Sequence, residues 1–204
     1  MAGHDVRTVL DVGANVGRFV RKIRRVLPEA TIYAFEPLAA CHATIVGEFA
    51  GDPRVRALNI ALGDENGQTV IHHSAHSPAS SLLPMSERHR RTYPHTAASS
   101  DETIRVRPLD AVAGELDIRP EVLVKMDVQG YEDRVIRGGR ETLSRSRVLL
   151  METSFVELYE GQLLFDGLYD LLRPMGYAFR GFTRQAKDPA SGAVLFGDAI
   201  FIRA

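Results

Sequence analysis

Cysteine, net charge and long apolar runs are all scarce in this 204-residue sequence. The single cysteine, Cys41, excludes an intramolecular disulfide, which favours a reducing compartment and makes the cytoplasm the simplest location. The formal net charge of −1 supplies no long-range field that would recruit nucleic acid or a membrane. No apolar run is long enough to span a bilayer, and a strand beginning near Val6 leaves no room for a signal peptide. We therefore expect one globular domain over residues 1–204, with neither nucleic acid nor membrane as a partner.

The sequence does contain a regular alternation of strand and helix patterns. The predicted strands are residues 9–12, 31–35, 55–62, 69–73, 104–106, 122–126, 147–151, 177–182 and 195–202. The predicted helices are residues 16–26, 38–49, 109–116, 131–143 and 163–172. This alternation predicts an α/β domain with a mainly parallel sheet and helices on both faces. The last two strands are joined by a hairpin turn at residues 187–192, so they run antiparallel and the sheet is mixed at one edge.

Residues 76–103 interrupt the alternation. They are rich in serine, histidine, proline and arginine, and such a stretch is a functional loop or a disordered insertion. Residues 86–95 are basic, so they either grip an acidic substrate or form a solvated loop. If the insertion is ordered, it is the candidate substrate lid. The pattern of His72, His73 and His76 favours surface histidines over a zinc site, because successive strand residues point to opposite faces.

Four acidic residues stand at the ends of separate predicted strands: Asp11, Glu36, Asp127 and Glu152. The carboxyl ends of parallel strands meet at one edge of the sheet, and ligands of such sheets bind there. Chance or helix capping explains one acid in such a position. Four of them favour a shared site.

The loop GANVG at residues 13–17 limits the choice of ligand. Dinucleotide enzymes use G-x-G-x-x-G at this place, but Asn15 and Arg18 replace the second and third glycines. The cradle for a pyrophosphate is therefore poorly formed, which disfavours a nicotinamide oxidoreductase. S-adenosylmethionine fits better, since it is cationic and carries no phosphate. It also has two ribose hydroxyls from which Glu36 can accept hydrogen bonds. The Asn15 amide can donate to the carboxylate of the methionine moiety. The alternative interpretation of the loop is that its two glycines only permit a tight turn.

Several segments together resemble the FkbM-type methyltransferases. They are LDVGANVGRF, FEP, NIALGD, VRPLD, VKMDVQGYEDRVIRGG, LLMETSF and GDAIFIR, in order from Val9 to Arg203. That family is similar in fold to the class I S-adenosylmethionine-dependent enzymes. The resemblance implies a Rossmann-like class I methyltransferase fold, with a mixed seven-stranded sheet, mostly parallel, whose last strand is antiparallel. It also implies O-methylation of a hydroxyl on a natural product or sugar.

The resemblance also implies which residues bind the cofactor. They are Asp11, Gly13, Ala14, Asn15 and Gly17 at the methionine end, Glu36 and Pro37 at the ribose, Ala61 and Leu62 beside the adenine, and Ser81, with Ser80 as its alternative. Asp127 joins this set because it ends the central strand.

Three acids are candidates for the chemistry. An alcohol acceptor gains from a base or from a metal that lowers its pKa. We expect Asp127 to contact the cofactor or the substrate hydroxyl, with a helix N-cap as the alternative. Glu132 is as suited to capping as to catalysis, and Glu152 faces the substrate. The three acids could also hold a divalent cation, which we do not favour, and no metal ligand is assigned.

The expected partner is a small hydroxylated molecule. A second copy of the chain could pair through the final strands to give a homodimer. The alternative function is a non-catalytic subunit that binds S-adenosylmethionine in a regulatory role. The presence of both Asp127 and Glu152 favours the enzyme.

Overall fold

A computed structural model describes residues 5–188 and 191–203. Its strands are β1 (Thr8–Val12), β2 (Thr31–Phe35), β3 (Val55–Leu58), β4 (Ala61–Gly63), β5 (Gly67–Ser74), β6 (Ser99–Pro108), β7 (Val122–Met126), β8 (Val148–Ser154), β9 (Tyr177–Lys187) and β10 (Val194–Arg203). Its helices are α1 (Arg18–Val26), α2 (Ala39–Glu48), α3 (Glu87–Thr92), α4 (Leu109–Ala113), α5 (Glu132–Gly138), α6 (Arg140–Arg145) and α7 (Phe165–Leu172). Three 3-10 turns occur at Ser77–Ala79, Pro94–Thr96 and Arg173–Met175. Among these described residues, no helix has both the length and the apolar composition needed to cross a bilayer.

The main sheet confirms the expected mixed architecture. Within the described part of the chain it has seven strands in the order β3-β2-β1-β7-β8-β10-β9. β10 runs antiparallel to both β8 and β9, whereas the pairs from β3 to β8 are parallel. Because the chain order reverses between β1 and β7, the carboxyl ends of these two strands open a crevice of the kind that binds ligands in such sheets.

Apolar side chains on both faces of the sheet explain its stability. One face packs against α4 to α7 through a large core that includes Val124, Met126, Leu149 and Phe201. The other face packs against α1, whose Val20 and Ile23 are buried against β1, β2 and β7. Strand β7 is apolar at four of its five positions, as expected for a central parallel strand that is buried on both faces. The sequence alternation therefore predicted the layers correctly.

The predicted strand at residues 55–62 is wrong as a single element. The chain turns after β3, and β4 joins a second, three-stranded sheet of order β4-β6-β5. The Asn59 side chain stabilises the turn by donating to the carbonyls of Glu36 and Pro37 at 3.0 and 2.8 Å. The predicted helix at residues 131–143 is also divided, since α5 ends at Gly138 and α6 begins at Arg140. Glycine favours such a break because it is a weak helix former.

Residues 76–103 are more ordered than their composition predicted. They contain α3, two of the 3-10 turns and the first part of β6, which pairs antiparallel with β5. β6 begins with the exposed polar run Ser-Ser-Asp-Glu-Thr, so its strand character has no apolar alternation to reveal it. The predicted hairpin turn at 187–192 includes residues 189–190, which lie outside the described residues.

One strand is longer than predicted, and this changes the position of one of the acids. β8 extends to Ser154, so Glu152 lies inside the strand, paired with Asp198 of β10. Asp11 lies one residue before the end of β1, which ends at Val12 as predicted. Only Glu36 and Asp127 follow their strands directly.

Candidate active site

A cavity of about 290 Å³ opens at the carboxyl ends of β1, β2 and β7. Nine of the residues predicted to bind a ligand line its wall: Gly13, Ala14, Asn15, Glu36, Pro37, Ala61, Leu62, Ser81 and Asp127. Ser80 lines it as well. Four other predicted residues are not among those that line the cavity: Asp11, Gly17, Glu132 and Glu152. The structure therefore brings most, but not all, of the predicted set to one place.

The loop after β1 is shaped by its close approach to β7. Gly13 has φ +76°, and a Cβ built there would lie 2.0 Å from the Asp127 carbonyl oxygen. Only glycine permits this crossing. Asn15 is also left-handed, with φ +48°, and its side-chain amide donates to Ser77 Oγ at 3.1 Å. The Asn15 amide that we expected to face a ligand carboxylate is therefore engaged by the 3-10 turn at Ser77–Ala79.

Glu36 presents a buried carboxyl group to the cavity. The residue is 4% exposed, and it accepts from the backbone N–H groups of Asn15 at 2.7 Å and Leu38 at 2.9 Å. Burial raises its pKa to about 7, against the lowering effect of these two hydrogen bonds. These contacts fix the carboxyl group at the end of β2, between the first loop and α2.

Asp11 does not face the cavity, because it is fully buried beneath the first loop. Its Oδ1 lies 3.2 Å from Lys125 Nζ, and neither of its oxygens accepts a well-formed hydrogen bond from the described residues. Burial by itself lowers the pKa of Lys125, but attraction by Asp11 and Asp127 outweighs it and raises that pKa. Burial also raises the pKa of Asp11, against the lowering effect of Lys125. The 3.2 Å contact between a largely buried ammonium and a fully buried carboxyl group makes the pair a buried ion pair.

Lys125 is a residue that our reading of the sequence missed. It lines the cavity floor and donates to the Gly13 carbonyl at 2.8 Å, and its ammonium is 3.8 Å from Asp127 Oδ2. One lysine thus holds the first loop, Asp11 and Asp127 together. A signal was present, since a lysine in the otherwise apolar strand VLVKM needs a buried partner.

Asp127 and Glu152 are joined by a second residue that we did not single out, Gln129. The Gln129 amide Nε2 is 2.7 Å from Asp127 Oδ1 and 2.8 Å from Glu152 Oε1. Burial, and then the nearby Asp127 carboxylate, raise the pKa of Glu152 well above its ordinary value. Arg184 of β9, also unpredicted, lines the cavity, and its guanidinium is 3.7 Å from Glu152 Oε2.

Glu132 is the first residue of α5 and points back toward the preceding loop. It accepts from the Val128 N–H at 3.1 Å, and burial raises its pKa to about 7. Within the described ranges, no group of three His, Cys, Asp or Glu residues is arranged to hold a metal ion. His72 and His73 contact Asp101 and Glu102 instead.

The insertion at residues 76–103 covers one side of the cavity. Ser81 donates from Oγ to the Gln129 carbonyl at 2.6 Å, which ties the insertion to the loop after β7. Met85 and His89 pack on the buried Tyr159, whose hydroxyl contacts Gln129 Oε1 at 2.7 Å. These contacts put the candidate lid against the end of the cavity that holds Asp127.

Comparison with known proteins agrees with this geometry. The family model described as the methyltransferase FkbM domain matches residues 11–179. The 2-O-methyltransferase NoeI of Sinorhizobium fredii (strain NBRC 101917 / NGR234) is 32% identical over 170 residues, which cover 80% of this chain and 70% of that protein. The AMB antimetabolite synthetase AmbE of Pseudomonas aeruginosa is 30% identical over 200 residues, with 83% of this chain but only 9% of that protein covered.

Among solved structures, the methyltransferase FkbM of Methylobacillus flagellatus KT superposes with a TM-score of 0.62 at 16% identity. The match covers 99% of this chain and 44% of that one, so this chain spans less than half of that protein. The likeness confirms the class I methyltransferase fold. The family match over most of the chain, with the relative at 32% identity, establishes that this chain belongs to the FkbM methyltransferase family.

Proposed function

We propose that this chain binds S-adenosylmethionine in the cavity and transfers its methyl group to a hydroxyl of a small molecule. One observation carries the proposal above the others. Glu36 presents a buried carboxyl group at the end of β2, in the same cavity as Asp127 at the end of β7. A single crevice therefore contains an acceptor for two ribose hydroxyls and, at its other end, an acceptor for a proton.

The donor set fits S-adenosylmethionine better than a dinucleotide. Apolar side chains of Ile60, Leu62 and Ile71 form a wall suited to a base, beside the Glu36 carboxyl group. The loop at residues 13–17 crosses β7 too closely, and is too occupied by its own contacts, to cradle a pyrophosphate. The residues present fit a phosphate-free nucleoside.

The cofactor, when bound, supplies a methyl group on a positively charged sulfur. The chain has to align the acceptor oxygen with that carbon, and to take a proton as the oxygen–carbon bond forms and the carbon–sulfur bond breaks. Asp127 is the residue we assign to that proton, since its carboxylate lines the cavity and is held by Gln129 and Lys125. No metal is needed for this assignment.

We further propose that the atom that receives the methyl group is a hydroxyl oxygen. It is supported by the relative named as a 2-O-methyltransferase, which shares 32% identity with this chain. Polar side chains of Ser80, Gln129 and Arg184 are among those that line the cavity, which suits a hydroxylated molecule. We propose neither nucleic acid nor a membrane as substrate.

Calorimetry tests the cofactor. We expect S-adenosylhomocysteine, the demethylated product, to bind with micromolar affinity and NADH not to bind. The reverse result would remove the proposal. Binding of S-adenosylhomocysteine without turnover on any tested acceptor would favour the non-catalytic alternative.

Turnover tests the chemistry. A panel of sugars and hydroxylated natural products is incubated with S-adenosylmethionine, and release of S-adenosylhomocysteine is measured. With a responsive acceptor, Asp127→Asn should lower kcat by about 10²- to 10⁴-fold, the usual range for a general base. The exposed Asp170→Asn is the matched control. Full activity of Asp127→Asn would exclude Asp127 as the proton acceptor.

Location and assembly are also proposals. The free, buried thiol of Cys41 suits a reducing compartment such as the cytoplasm. A homodimer remains a prediction, to be tested by light scattering. The outer strand is β9, whose Arg180, Arg184 and Lys187 and whose register shifts against β10 are features that discourage edge pairing.

A further inference from the structure

Gln129 contacts Asp127, Glu152 and Tyr159, and the proposed function has so far assigned it no role. Its Nε2 has two N–H bonds, and it lies 2.7 Å from Asp127 Oδ1 and 2.8 Å from Glu152 Oε1, so each carboxyl group receives one donor. Its Oε1 accepts from the Tyr159 hydroxyl at 2.7 Å. The opposite amide orientation would turn the carbonyl toward two carboxyl groups, so this network also determines which way the amide points.

The backbone of Gln129 is in a conformation that glutamine rarely adopts. Its φ is +54°, and within residues 5–188 and 191–203 only Asn15 and Glu121 are other non-glycine residues with positive φ. Glycine or asparagine would suit this backbone better. The Ser81 hydroxyl holds the strained peptide by donating to the Gln129 carbonyl at 2.6 Å. The side chain, rather than the backbone, is therefore the reason for a glutamine here.

Two carboxyl groups without a donor between them would repel each other or share one proton. Gln129 occupies one oxygen of each, and Asp127 Oδ2 is left to the cavity and to Lys125 Nζ at 3.8 Å. Arg184 approaches Glu152 from β9 at 3.7 Å. The other charged or titratable groups that interact with Glu152 are Glu132, Asp198, Lys125, Tyr159 and Tyr93.

We propose that Gln129 is a positioning residue of the methyltransferase site, whose amide holds Asp127 and Glu152 apart and leaves one Asp127 oxygen turned to the acceptor. Its role in turnover rests on the proposed function, in which Asp127 takes the proton. Its role as a clamp between the two carboxyl groups stands on the geometry alone.

The clamp is tested by titrating Glu152 through ¹³C-labelled glutamate carboxyl groups, with Glu152→Gln to assign the signal. In Gln129→Leu, which keeps the size but removes the donor, the midpoint of Glu152 should rise by about one pH unit. Gln129→Asn, which suits the backbone but is too short to span both groups, should behave in the same way. Tyr159→Phe leaves Gln129 in place but frees its amide, so it should give a smaller rise.

The outcomes separate positioning from a structural role. If folded Gln129→Leu has a lower Tm but the same Glu152 midpoint as the wild type, Gln129 only stabilises its loop and the proposal is overturned. With an acceptor from the panel, kcat of Gln129→Leu should fall about tenfold or more at unchanged KM for S-adenosylmethionine. Failure of Asp127 as proton acceptor would appear as full activity of Asp127→Asn. The rise of the Glu152 midpoint expected in Gln129→Leu does not depend on that outcome.

Discussion

The two ends of the cavity are built in different ways. At the end with Glu36, the carboxyl group is held by backbone N–H groups of Asn15 and Leu38, close to the tips of β1 and β2. At the end with Asp127, side chains hold one another, and Gln129 connects Glu152 and Tyr159 across 23 and 30 residues of sequence. Backbone donors remain when a side chain is replaced, whereas a side-chain network is weakened when any one of its members is replaced.

This difference predicts a division of effects between the two ends. Changes at the Glu36 end should alter affinity for S-adenosylhomocysteine, and changes at the Asp127 end should alter turnover and carboxyl titration. Lys125 is the exception, because it contacts the Gly13 carbonyl at one end and Asp127 at the other.

Lys125→Met should therefore have the largest effect and damage both ends. It leaves Asp11 as a fully buried carboxyl group without its cation, which costs about 3–5 kcal/mol of the free energy of unfolding. Urea denaturation measures the loss. The double variant Asp11→Asn, Lys125→Met should recover part of it, because no buried charge is left unpaired. Unchanged stability in Lys125→Met would mean that the ion pair is not buried as described.

Gly13→Ala should be the next most severe change, and it confines the damage to the loop. The left-handed backbone costs about 1–2 kcal/mol for alanine, and overpacking against the Asp127 carbonyl adds about 1–3 kcal/mol. Gly161→Ala is the matched control, since its φ is +75° and nothing lies within 4 Å of the added carbon. It should cost only the first amount. Equal losses of unfolding free energy in both variants would contradict the close crossing of β7.

Glu36→Ala tests the Glu36 end of the cavity through the affinity for S-adenosylhomocysteine. Removing hydrogen bonds to a charged group should weaken S-adenosylhomocysteine by about 1.5–3 kcal/mol, or about 10- to 150-fold in Kd by calorimetry. Glu152→Gln, at the other end, should leave that Kd nearly unchanged. An unchanged Kd in Glu36→Ala would place the ribose elsewhere.

The smallest expected effect is the pH dependence of binding. Folding raises the pKa of Glu36 from 4.5 to about 7, so the stability that this proton contributes is full below pH 4.5 and is lost as pH rises through about 7. Cofactor binding should change with pH in the opposite direction, because in the proposed function the ionised carboxylate accepts hydrogen bonds from both ribose hydroxyls. Affinity for S-adenosylhomocysteine should rise about three- to fourfold from pH 6 to pH 8, since a charged acceptor adds about 1 kcal/mol. Glu36→Gln should show no such rise.

Some features of the site were predictable from the sequence because they depend on neighbours along the chain. The GANVG loop and Glu36, which precedes Pro37, can be recognised from their composition and from their position after apolar runs. Asp11 was predicted to face the ligand, but the structure buries it against Lys125 instead. Asp11 and Lys125 are register partners on the neighbouring strands β1 and β7. The sequence of either strand alone does not specify that register.

The sequence by itself determined the α/β alternation, the antiparallel last strand and the acids near the strand ends, because apolar periodicity and turn residues act over a few positions. Only the tertiary structure decided that β4, β5 and β6 form a second sheet, and that Gln129 and Tyr159 meet between the insertion at residues 76–103 and the pair Asp127 and Glu152. The physical reason is that a polar side chain in a loop carries no period. Its partner is selected by the packing of distant segments, which becomes defined only when the whole core has closed.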